Sequence, residues 1–120
     1  MRVVIIDDSE VALELAAGAL RLAGMQVPTL DSPIGSSVAI MSVHPDLVLI
    51  DVTMPALSGE KVVEILKRMR SLAGVKIVLH SDQEPAELAA AVKRCGADGY
   101  ICKTKDRERL VADVLRFAKA

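Results

Sequence analysis

Along this chain, short runs of apolar, β-branched residues alternate with longer segments whose apolar positions recur every three or four residues. The runs are RVVIID (2–7), DLVLID (46–51) and VKIVLH (75–80), then GYIC (99–102) and a weaker QVPTL (26–30). Their apolarity is continuous rather than alternating, which suits strands covered on both faces, as in a parallel sheet. The segments between them read as helices. Ser9 is placed to cap one that reaches about Ala23, with Gly24 ending it. Val62, Ile65, Leu66, Met69 and Leu72 form one stripe over about 59–72. Pro85 opens a short helix through Leu88 and Val92 that ends near Gly96, and Leu110, Val111, Val114, Leu115 and Ala118 make the inward face of a last one. The stretch from Ser32 to Val43 is the least regular, because Gly35, Ser36 and Ser37 weaken it while Pro33 suits a first turn.

Strand and helix thus alternate five times, which predicts an α/β fold with a parallel sheet and right-handed crossovers. In an open sheet of this class ligands bind beyond the carboxyl ends of the strands. That rule turns position in sequence into position in space. Asp7 and Asp8 end the first strand, Asp51 the third, His80 and Ser81 the fourth, Cys102 and Lys103 the fifth. Three carboxylates, a hydroxyl and an ammonium are therefore expected on one rim, with both adjacent acids wetted there.

Composition narrows the picture. The 120 residues fit one domain. Tyr100 and Phe117 are the only aromatics, so the core must be aliphatic. No apolar run approaches the roughly 20 residues of a membrane span. The N-terminus meets acids before the apolar core of a signal peptide could form. The expectation is a soluble, cytoplasmic protein. Cys95 and Cys102 lack metal or redox spacing and suggest a reducing compartment. A net charge of −1 argues against nucleic acid or a membrane surface as direct partner.

Three clustered acids call for a counterion. A hard divalent cation with oxygen ligands answers the need, and Mg²⁺ characteristically takes few carboxylates, keeps some waters and binds a substrate phosphate. Lys103 offers a mobile positive charge for a phosphoryl oxygen. A carboxylate can itself be a nucleophile and form an acyl phosphate. The residues alone thus predict a Mg²⁺-assisted phosphoryl site without saying which acid attacks.

The stretch LVLIDVTMPALSGEKV (47–62), with the acid pair at 7–8, Ser81 and Lys103, resembles the receiver domain of two-component response regulators over essentially the whole chain, residues 1–120. The resemblance implies a flavodoxin-like sheet of order 2-1-3-4-5, an order for which a member of this family is a standard example. It also implies roles. Asp51 would accept a phosphoryl group from a sensor histidine kinase or phosphotransfer protein. Asp8 and Asp51 would bind Mg²⁺ directly, Thr53 through its backbone carbonyl and Asp7 through water. Lys103 would pair with the phosphoryl group, Ser81 would turn its hydroxyl toward it, and Tyr100 would swing inward as the switch aromatic. That shift would remodel the face of the fourth helix, fifth strand and fifth helix, where a downstream protein binds. Such a chain is a signalling module rather than an enzyme, beyond its own phosphorylation and slow self-dephosphorylation. Ending soon after the fifth helix suits either a stand-alone protein or a domain cut from a longer one.

Three positions depart from the family pattern. Thr104 stands where proline commonly follows a cis bond, which before a non-proline residue costs about 3 kcal/mol. Asp82 stands where a small residue usually keeps the phosphoryl pocket open. His80 precedes Ser81 with no assigned role. Asp82 and Thr104 leave open a degenerate receiver that binds partners without phosphorylation. A haloacid-dehalogenase-type phosphatase is the more distant alternative, since Thr53 occupies the place of its second acid.

Overall fold

The computed structural model describes residues 1–118. Five strands and five helices alternate: β1 (Val3–Ile6), α1 (Glu10–Leu22), β2 (Thr29–Leu30), α2 (Ser36–Val43), β3 (Leu47–Ile50), α3 (Gly59–Lys67), β4 (Lys76–Ser81), α4 (Pro85–Cys95), β5 (Gly99–Cys102) and α5 (Arg107–Ala118). The sheet has the order β2-β1-β3-β4-β5 and every pairing is parallel. This is the doubly wound, flavodoxin-like arrangement that the alternation and the resemblance predict.

The sheet carries an aliphatic layer on each face, because successive residues of a strand point to opposite sides. Val4, Ile6, Val48, Ile50, Ile77 and Leu79 face α2, α3 and α4. Val3, Ile5, Leu47, Leu49, Val78 and Ile101 face α1 and α5. The central strands β1 and β3 are buried along their whole length, which accounts for their unbroken apolarity.

Local signals explain most boundaries. The Ser9 hydroxyl accepts the Ala12 N–H at the start of α1, and the Ser58 hydroxyl accepts that of Lys61 at the start of α3. Pro85 opens α4, and Gly96, with φ +82°, ends it in the left-handed conformation that glycine adopts at least cost. Three expectations needed correction. Leu115 and Ala118 of α5 are exposed, and the helix packs inward through Leu110, Val111, Val114 and Phe117. The stripe over 59–72 is not one helix: α3 stops at Lys67, Met69 is extended, and Arg70–Leu72 form a separate 3₁₀ turn. Val63 rather than Ile65 faces inward, and Leu72 is buried from the separate turn. The run at 26–30 is paired only at Thr29–Leu30 plus an isolated bridge at Gln26, since Pro28 has no N–H to give to a ladder. Among the described residues no helix is long and apolar enough to cross a membrane.

Candidate functional site

Parallel register brings the rim residues together. Ile6 pairs with Ile50 and Ile50 with Leu79, so Asp7 and Asp51 are the next positions on adjacent strands. Their backbones are held there: the Asp7 N–H donates to Leu30 O at 3.0 Å and that of Asp51 to Ile6 O at 2.9 Å. Beyond β5, the Lys103 N–H donates to Ser81 O at 2.8 Å. From that anchor the Lys103 side chain reaches across two strand ends. Its Nζ lies 2.6 Å from Asp7 Oδ2 and 3.4 Å from Asp51 Oδ1.

The two adjacent acids part company. Asp8 is exposed, whereas Asp7 is 1% exposed, so the expectation that both are wetted is corrected for Asp7. Asp7 Oδ1 accepts the Ser9 N–H at 2.9 Å, while Oδ2 faces the Lys103 ammonium. The strand pleat separates neighbours in sequence, and lysine supplies the charge that lets one of them be buried.

Electrostatics follow from this packing. Asp51 is 7% exposed, and burial pushes its carboxyl up; Lys103 opposes that rise, while Asp7 and Asp8 add to it. Burial works against the Lys103 ammonium, but Asp7 and Asp51 outweigh it and hold its pKa above the ordinary lysine value. One carboxylate oxygen from each of Asp7, Asp8 and Asp51 lies within 4.8 Å of the others. Asp7 Oδ2 is fully enclosed, and the Lys103 ammonium 2.6 Å away is its partner. An oxygen-only donor set of three carboxylates, one of them exposed, with a single lysine among them fits a hard cation such as Mg²⁺.

The remaining candidates surround this cluster. Ser81 is 3% exposed, and its Oγ accepts the Gln83 N–H at 3.1 Å. Tyr100 pairs in register with Leu79 and is half-buried against the α2–α3–α4 layer. Thr53 is exposed in the loop after Asp51, and Asp82 is exposed just beyond Ser81. The Lys103–Thr104 peptide is trans, and Lys103 still reaches both acids.

The response regulator receiver domain model matches residues 3–115. The chain belongs to that family. Its receiver fold is close to the signal receiver domain of NarL from Mycobacterium tuberculosis, 32% identical, with a TM-score of 0.82 over 99% of this chain and 96% of that one. The regulatory protein AtoC of Escherichia coli is 29% identical over 91% of this receiver and 23% of its own length. Protein PilG of Pseudomonas aeruginosa is 24% identical over 95% of this receiver and 84% of its own. The chain thus spans less than a quarter of AtoC but most of PilG.

Two residues of this receiver matter in ways that sequence reasoning did not reach. Gly59 closes the family motif because α3 begins against the Asp51 backbone: a Cβ there would overlap the Asp51 carbonyl oxygen and lie 2.8 Å from its carbon. The spacing from Asp51 to Gly59 carried that signal. His80 is 4% exposed, and burial, aided by Lys103, pushes its pKa down to about 4. Strand alternation was its signal, since it places His80 on the α1–α5 layer, opposite Ser81.

Proposed function

We propose that this receiver is a phosphorylation-controlled switch in which Asp51 takes a phosphoryl group from the phosphohistidine of a sensor histidine kinase or phosphotransfer protein. The observation that carries the reading is the Asp51 carboxylate at the end of β3, 3.4 Å from the Lys103 ammonium and inside a cluster of three acids. An Asp51 oxygen attacks phosphorus, the P–N bond to the donor imidazole breaks, and the imidazole leaves with the bonding pair and takes up a proton. Asp8, Asp51 and the Thr53 carbonyl would hold Mg²⁺, with Asp7 reaching it through water; when bound, the ion would offset phosphoryl charge and help to orient the group.

The chain's own residues then respond. Lys103 transfers its contact from Asp7 to a phosphoryl oxygen. The Ser81 hydroxyl gives up the Gln83 N–H and donates to the phosphoryl group instead. Tyr100 follows inward, and the α4–β5–α5 face changes what it binds. The shift needs only a differential affinity of the phosphorylated site for one of two packings. The setting is the cytoplasm, and the output is a downstream protein rather than nucleic acid or membrane.

Phosphorylation-independent binding is the second reading, and Asp82 is the residue that favours it. A carboxylate on the loop just after Ser81 repels an incoming phosphate. Incubation with Mg²⁺ and a small phosphodonor separates the cases by mass spectrometry. The switch reading expects an acyl phosphate that disappears without Mg²⁺ and in Asp51→Asn. Undiminished labelling of Asp51→Asn overturns the assignment. No labelling at all favours the binding module, and continuous turnover of varied phosphate esters favours a phosphatase.

A further inference from the structure

The α1–α5 layer does not close over the end of β4. A cavity of about 340 Å³ remains between the first turns of α1, the loop after β5 and the start of α5. Val11, Ala12, Leu15 and Ala16 of α1 and Leu110 of α5 make its apolar walls. Its volume falls within the roughly 300–1,000 Å³ typical of small-molecule sites.

His80 lines this cavity while only 4% exposed. The neighbouring hydrogen bonds, Ile77 N–H to Asp98 and Gln83 N–H to Ser81, pass its ring by, and among the described residues the imidazole has no hydrogen-bond partner. It is neutral at pH 7 and so presents one donor and one acceptor. Neither ring nitrogen is a fully enclosed atom without a partner, so the polar edge of the imidazole is open to the cavity and free to bond there. Charge restricts what could supply that partner. The Lys103 ammonium in the wall disfavours a cation. An anion gains little either, because Lys103 is already taken up by Asp7 and Asp51, and the remaining lysine of the lining, Lys105, is matched by Asp82.

The geometry points to a binding site for an uncharged, mainly apolar small molecule with one hydrogen-bonding group, its body against Leu15 and Leu110 and its polar group on the imidazole of His80. The site lies on the opposite layer from Tyr100 and shares Lys103 with the acidic cluster.

Phenol and toluene are suitable probes, since they share a ring and differ by a hydroxyl against a methyl. Titrated into the full chain and followed by amide NMR, both are expected to shift Val11 to Ala16 and Leu110, saturating in the millimolar range for such small molecules. His80→Leu keeps an apolar surface and removes the hydrogen bond; the preference for phenol over toluene then falls by about 2- to 10-fold. Leu15→Trp, at an exposed position of α1, plugs the cavity and abolishes both titrations. The inference is overturned by the absence of saturable shifts at these residues, by a phenol preference that survives His80→Leu, or by binding that Leu15→Trp leaves intact. Shifts that follow protein concentration alone also overturn it, and make a second copy of the chain the occupant.

Discussion

Gly59→Ala offers a sharp test of how the acidic site is built. A Cβ at position 59 would overlap the Asp51 carbonyl oxygen and stand 2.8 Å from Asp51 C and 2.9 Å from Val52 Cα. All three are main-chain atoms, so no flexible side-chain tip can move aside. The Gly59 N–H also donates to Val52 O at 3.0 Å, which fixes the approach. Two effects compete. Alanine is the better helix former by up to about 1 kcal/mol. Overpacking costs about 1–3 kcal/mol, and rigid backbone neighbours favour the upper end. The net expectation is a loss of about 2 kcal/mol. With an unfolding entropy near 0.25 kcal/mol/K for a chain of this length, the melting midpoint falls by about 8 °C. Gly18 in α1 is the internal control, because a Cβ there meets nothing within 4 Å. Gly18→Ala is expected to gain about 0.5–1 kcal/mol from propensity alone. Urea and thermal unfolding of both variants measure the difference. If Gly59→Ala equals or exceeds the parent in stability, the close seating of α3 on Asp51 is wrong.

Three further outcomes follow from the site. The folded state keeps His80 neutral down to about pH 4, whereas the unfolded chain protonates it near 6.5. The unfolded state therefore binds more protons in that window, and stability falls by about 3 kcal/mol as pH drops from 6.5 to 4; His80→Leu should remove this part of the acid sensitivity, and urea midpoints at both pH values with an unchanged difference would refute it. Asp51 has a raised pKa in the fold, so its ionised form is a burden above that pKa that vanishes as pH falls toward 3.8. Asp51→Asn should melt higher than the parent at pH 7, with the gap closing in acid; a lower midpoint at pH 7 would contradict the burial argument. Asp8→Ala should weaken Mg²⁺ binding at least about tenfold, since even outer-shell partners of a metal are worth 10–100-fold, and calorimetric titration with unchanged affinity would count against the cluster as the cation site.

The sheet was legible because its strands are apolar on both faces, and Val3–Ile6 and Leu47–Ile50 are buried at every position. Once the strands are placed, the rule about carboxyl ends brings Asp7, Asp51 and Lys103 together without further information, and the Lys103 Nζ lies within 4 Å of both acids. What escaped were effects of backbone geometry and of side-chain reach. Helical spacing alone could not show that the chain extends at Met69. The split between Asp7 and Asp8 depends on a lysine almost a hundred residues away, whose reach no local pattern records. The burial of His80 followed from strand alternation only after the layer packed against that side of β4 was known.

β1 and β3 of this receiver stop on the same rung, and that decides where the chain can change length. Asp7 and Asp51 each stand one position beyond a paired rung, Ile6 against Ile50. A residue inserted within β3 would move Asp51 along the sheet by about 3.3 Å and turn its carboxylate to the other layer. One inserted in the turn between α2 and β3, at the opposite end of the sheet, would leave every rung in place. A change of length is therefore better tolerated in that turn, at the expense of its bonds to Arg2, than inside a strand, so the molecule can drift in size while the spacing among its acids and its lysine stays still.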